Sequence, residues 1–166
     1  GEYMGEHGLM EKNNLYESVY HIPCVISMPW KKIQERRCNT WINVVDFAPT
    51  LAGMLGIPYP FKVQGKDLST YLLENRETEQ ILYIQPSDVP RAGILTPEFE
   101  LAYVGKGWCE EEFHDHILFD MRKDPLQMTN VFGKPEYAKV QKMLTEKLKR
   151  HFEEIGTPKK FLPKEV

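Results

Sequence analysis

Lys12, in GEYMGEHGLMEKNNLYESVYH, stands between a Gly- and His-bearing loop and a segment that reads as a short helix. A fixed ammonium in such a place stabilises charge developing on an oxyanion, an effect worth about 3 kcal/mol per well-placed donor. The plainer reading is a solvated surface lysine, which is how most lysines end up. His7 lies in GEHG, where the flanking glycines let the backbone come close to a ligand. Its imidazole can donate to an oxyanion or a hydroxyl, or brace its own loop. Arg91, in RAGILT, either binds an anion or anchors its loop. His114 and His116, in HDH, share a face if that segment is a strand. No third ligand accompanies them, and the end of an exposed turn accounts for both. Asp120 and Asp124, in FDMRKDP, suggest acid/base work or a structural turn.

The elements that must position these residues follow from punctuation and periodicity. NNLYESVYH predicts a short helix, with Asn13 or Asn14 to cap it, Glu17 in its first turn and Pro23 beyond its end. CVISM, between Pro23 and Pro29, predicts a buried strand, with Cys24 as a small buried residue. VVDFAPTLAGMLG predicts a helix from near Asp46, with Pro49 in its first turn and Gly56 as its stop. Phe47, Leu51, Met54 and Leu55 would share its apolar face. A further short helix is expected from about Asp67 to Leu73.

Beyond it, QILYIQP, FELAYVG and HILFDM are three short runs separated by turn-rich segments, the pattern of an antiparallel meander. Tyr137, Val140, Leu144, Leu148, Phe152 and Ile155 recur every three or four residues in a helix over about 135–155, opened by Pro135 and closed by Gly156. One apolar face and a small sheet before it imply that the two pack together. The fold class is therefore α/β followed by α+β: residues 1–78 as part of an α/β core, and 79–166 as a small subdomain of antiparallel sheet and long C-terminal helix.

Several function classes are disfavoured. The 166 residues, 42% hydrophobic, suffice for a core, but a net charge of −3 with interspersed signs gives no field that would gather nucleic acid. No apolar run approaches the roughly 20 residues that span a bilayer. Three cysteines without CxxC or Cys/His spacing support neither a disulfide framework nor a zinc site.

The same stretches, taken in order, resemble a known family. GEYMGEHGLMEKNNLYESVYHIPCVISMP, VVDFAPTLAGMLGIPYPFKVQGKDL, RAGILTPEFELAYVGKG and HILFDMRKDPLQMTNVFGKPEYAKV look like the C-terminal part of type I, formylglycine-dependent sulfatases of the alkaline phosphatase superfamily. The resemblance implies that Lys12 contacts the sulfate group, that His7 and Arg91 are candidates for sulfate or substrate contact, and that Tyr16 and Glu17 fall in the family's Tyr-Glu element. Asp120 and Asp124 match a structural turn. It also places the metal-binding acid and the Cys- or Ser-x-Pro-x-Arg nucleophile motif upstream of Gly1, so calcium and formylglycine are expected in an intact parent and no metal ligand in this chain.

The expected function is thus that of a C-terminal fragment of a sulfatase acting on a sulfated carbohydrate or another sulfate ester, inactive by itself. The alternatives are a phosphonate or phosphodiester hydrolase of the same superfamily, or a non-catalytic module that binds glycan or protein. The resemblance implies a periplasmic, secreted or lysosomal location. Unpaired strand edges would favour self-association of the fragment, or disorder in roughly the first 20 residues.

Overall fold

The computed structural model describes residues 1–12, 15–84, 91–104, 116–159 and 162. These form two compact units, Gly1–Pro23 with Tyr83–Val166, and Cys24–Leu82.

The first unit is built on four strands in the order β1 (Leu82–Ile84), β2 (Arg91–Leu95), β3 (Phe99–Val104) and β4 (Ile117–Asp120). β2 is antiparallel to β3, with Arg91 opposite Val104 and Leu95 opposite Glu100, and β3 is antiparallel to β4, with Phe99 opposite Asp120. The meander expected from the sequence is present, with one addition: RAGIL is a strand inside the sheet, not a loop before it. Alternation assigns Phe99, Leu101 and Tyr103 to one face and Glu100, Ala102 and Val104 to the other. All six are buried, so both faces are covered.

The last helix, α4 (Ala138–Ile155), follows a 3₁₀ turn at Pro135–Tyr137 and ends at Gly156, whose φ of 71° is the left-handed cap that glycine provides. Leu144, Leu148 and Phe152, four residues apart, are buried, each contributing about 2 kcal/mol. The Tyr103 hydroxyl lies 2.7 Å from Thr145 Oγ1, which identifies the Phe99–Leu101–Tyr103 face as the one beneath α4. Val140 and Ile155 are only half-buried.

The opposite face carries the opening segment. Leu15 packs with Ala102, Ile117 and Phe119, and Tyr16 and Ile84 join them. The expected helix there is shorter than predicted, α1 (Glu17–Tyr20), and Tyr16 precedes it without a side-chain cap. Asn13 and Asn14 lie outside the described residues. Tyr3 and Leu15 are buried and residues 1–12 form a bonded loop, which corrects the expectation of a disordered start.

Within the second unit, α2 (Val44–Leu55) begins two residues before Asp46 and so places Pro49 in its second turn. Its entry is a capping box of Asn43 and Asp46, with the Asn43 N–H donating to Asp46 Oδ2 at 3.0 Å. The buried side is Pro49, Thr50 and Met54; Phe47 and Leu55 are exposed, contrary to the expected stripe. α3 (Ser69–Glu74) starts where Asp67 accepts the Ser69 N–H, and Arg36 donates to its last carbonyls, Leu72 and Leu73, both at 2.6 Å. Residues 24–28 form no strand and Cys24 is exposed, which corrects the buried strand read from CVISM. A strand needs a neighbour to supply its hydrogen bonds, and no described residue does so here.

Candidate functional site

The loop over residues 1–12 is closed at its base by the Tyr3 N–H, which donates to the Glu11 carbonyl at 2.9 Å. Inside it, Gly5 N–H donates to Leu9 O and Leu9 N–H to Glu6 O, both at 2.9 Å, around a single 3₁₀ turn at Glu6–Gly8. Met4, Gly5, His7, Gly8 and Glu11 all have positive φ. Three of these five are not glycine, and each such residue costs about 1–3 kcal/mol and persists only because its surroundings hold it. Strain gathered in this way is a feature of ligand-facing loops.

What holds it is aromatic stacking onto the sheet. The His7 ring lies parallel to that of Tyr16, with centroids 4.1 Å apart and planes 17° apart. Tyr16 in turn meets Phe119 of β4 at 5.6 Å and Tyr3 edge-on at 5.9 Å. His7, half-buried, is therefore the top of a column resting on β4, and Lys12, exposed, leaves the loop one residue after its closing bond.

Just beyond Lys12, α1 is tied to the sheet by polar groups. Gln127, buried and at φ 55°, accepts the Glu17 N–H through Oε1 at 2.8 Å. Its Nε2 donates to Glu100 Oε2, and the Tyr20 hydroxyl donates to the same oxygen at 2.5 Å. Burial pushes the Glu100 carboxyl up to about 8; the Tyr20 hydrogen bond works against this, while the Glu17 charge adds to it. Burial, with the Glu100 carboxyl beside it, also holds the Tyr20 phenol well above its usual range. Glu17 is not simply solvated: its Oε1 lies 2.7 Å from His21 Nδ1.

Of the residues singled out by sequence, His7 and Lys12 share this loop. Arg91 opens β2 opposite Val104, and alternation puts it on the face of the sheet that bears the loop. His114 lies outside the described residues. His116 does not form part of a described ligand set: its Nδ1 accepts the Val104 N–H at 3.0 Å and its ring packs by Tyr103 and Phe132. Asp120 and Asp124 are turn-makers. Asp120 pairs with Arg122 and Lys123, and the Arg122 hydrogen bond holds its carboxyl below the usual range. Asp124 accepts the Met128 and Thr129 N–H groups, at 3.0 and 2.6 Å. That turn is what delivers Gln127 to Glu100.

Among the described residues no group of three or more His, Cys, Asp or Glu side chains stands together as a metal would need, so none is assigned to a metal. No described helix is long and apolar enough to cross a membrane. Sequence reasoning passed over Tyr20, Glu100 and Gln127. The available signal was an acid in the middle of an otherwise apolar strand, FELAYV.

Comparison with known proteins agrees with this architecture. The family model described as N-sulphoglucosamine sulphohydrolase, C-terminal, matches residues 5–154. An N-acetylglucosamine-6-O-sulfatase of Bacteroides thetaiotaomicron is 33% identical over 89% of this chain and 28% of its own length. An ulvan-active sulfatase of Formosa agariphila is 28% identical over 94% of this chain and 32% of its own. A solved protein in complex with its substrate D-glucosamine-2-N,6-O-disulfate is 30% identical, with a TM-score of 0.53, covering 65% of this chain and 23% of that one. The phosphonate monoester hydrolase of Agrobacterium radiobacter, 23% identical with a TM-score of 0.67 over 90% of this chain, shares the fold. The chain spans less than a third of the sulfatases it matches, and it belongs to the N-sulphoglucosamine sulphohydrolase C-terminal family, the C-terminal part of sulfatases.

Proposed function

We propose that this chain is the C-terminal part of an enzyme that hydrolyses sulfate esters on a carbohydrate, and that Lys12 supplies a positive charge to the sulfate group. The observation that carries the reading is the strained loop: five left-handed residues, closed by a backbone bond and seated on the sheet, deliver Lys12 from a rigid support. An ammonium held in place before reaction needs no reorganisation as charge builds on the sulfate oxygens. His7, fixed by Tyr16, is suited to donate to a sulfate oxygen or a sugar hydroxyl, and Arg91 to line the rim. The carbohydrate is suggested by the N-acetylglucosamine-6-O-sulfatase and by the glucosamine disulfate in the solved relative.

In this reading residues 1–78 complete the α/β core of a longer parent and 79–166 form its terminal subdomain. The formylglycine nucleophile and the calcium belong to parts of the parent outside this chain, and the enzyme works in a periplasmic, secreted or lysosomal compartment.

The test is Lys12→Ala in the full-length enzyme. Loss of one preorganised donor lowers kcat/KM for a 6-O-sulfated glucosamine by about 10²–10³-fold. Wild-type turnover in that variant would remove Lys12 from the sulfate pocket. Assaying an aryl phosphonate beside the aryl sulfate separates this reading from a phosphonate or phosphodiester hydrolase. Glycan binding without turnover of either would favour a non-catalytic module.

A further inference from the structure

Glu100 has no place in the sulfate chemistry just proposed, yet it is the most deeply buried acid described, 1% exposed in the middle of β3. Its side chain faces the opening segment. From α1, the Tyr20 hydroxyl reaches its Oε2; from the turn after β4, Gln127 Nε2 reaches the same atom; its Oε1 is buried without a hydrogen-bond partner among the described residues. The groups beside it are few. Glu17, itself paired with His21, is the charged neighbour on α1, while Leu95 of β2 and Phe119 of β4, its cross-strand partners, carry no charge.

Gln127 is the link. With its amide nitrogen held by Glu100, its amide oxygen points at the first N–H of α1, that of Glu17. That N–H adjoins Tyr16, the ring on which His7 is stacked, and lies five positions after Lys12. A shift at Glu17 would tilt the whole column of His7, Tyr16 and Phe119.

We propose that Glu100 is a positioning residue which, through Gln127, fixes the first turn of α1 and thereby the register of the loop that carries His7 and Lys12. The catalytic part of this inference rests on the function proposed above; the mechanical part does not. The clamp is geometric: one buried carboxylate oxygen takes the Tyr20 hydroxyl and the Gln127 amide together, which leaves the Gln127 amide oxygen a single direction, towards the Glu17 N–H.

Two readouts on the full-length protein test this. The first is hydrogen exchange at the Glu17 amide. Protection falls on the order of tenfold in Gln127→Leu and in Glu100→Ala relative to the wild type, and is kept in Glu100→Gln, whose amide oxygen still accepts from Gln127. The second is kcat/KM on the sulfate ester, where Gln127→Leu and Glu100→Ala lose on the order of 10–100-fold and Glu100→Gln restores most of that loss. Equal Glu17 protection in wild type and Glu100→Ala would overturn the proposal, as would a loss in Glu100→Gln as large as that in Glu100→Ala. If the exchange results appear but Lys12→Ala leaves turnover intact, the clamp stands and the assignment of Lys12 falls.

Discussion

His7 holds its stack on Tyr16 from a left-handed backbone, φ 54° and ψ 19°, so the two demands on it can be separated by substitution. Glycine loses the ring contact but accepts the backbone. Valine loses the contact and adds the left-handed penalty, so His7→Val should be less stable than His7→Gly by about 1–2 kcal/mol in equilibrium unfolding. Equal stabilities would show that the loop does not impose this conformation. Glu100 makes a second prediction at the same scale. Its carboxyl moves from 4.5 to about 8 on folding, so the folded state binds the proton more tightly. That contribution to stability is complete below pH 4.5 and is lost as the pH rises through about 8. Denaturant midpoints should therefore fall across this interval, and Glu100→Gln should flatten the decline. An unchanged slope in the variant would place the titration elsewhere.

Among the elements, α2 shows where local propensity and packing disagree. Replacing a helix-interior glycine by alanine ordinarily gains about 1 kcal/mol. At Gly53, however, a Cβ would overlap the Asp67 carboxylate and the Ser69 hydroxyl, the groups that open α3. Gly53→Ala should therefore destabilise by roughly 1–3 kcal/mol, read from thermal unfolding. A gain would mean that α3 does not start against α2. The sheet makes the complementary point. RAGIL, expected as the loop that precedes the sheet, is β2, and at Gly93 a side chain would crowd Leu101 O at 3.3 Å. The strand exists because β3 pairs with it.

For the whole chain, the second unit leaves Val25, Trp30, Val44, Phe47, Leu55, Ile57 and Phe61 exposed, with Val25 95% and Val44 75% accessible. Where such side chains adjoin one another they are an aggregation liability. The purified 166-residue chain is expected to self-associate as its concentration rises, and light scattering would show it. The same chain is expected to turn over no aryl sulfate by itself, and metal-dependent turnover would refute the assignment of nucleophile and metal acids to an upstream part.

The sequence by itself determined what local periodicity can encode. The amphipathic α4 with its Gly156 stop, the strands at FELAYV and HILFD, the Gly56 cap and the Asp120–Asp124 turn are each specified within a few residues, and the ordered motifs pointed to the sulfatase family. Tertiary structure decided which faces are covered. The alternation Phe99, Glu100, Leu101 specifies a strand but not what covers its acid; a residue 80 positions earlier in the chain closes over that face and buries Glu100 against Tyr20. Conversely, CVISM is apolar enough for a buried strand and remains exposed, because no described residue pairs with it. Burial is set by what packs on a segment, and a partner remote in sequence leaves no mark on the local pattern.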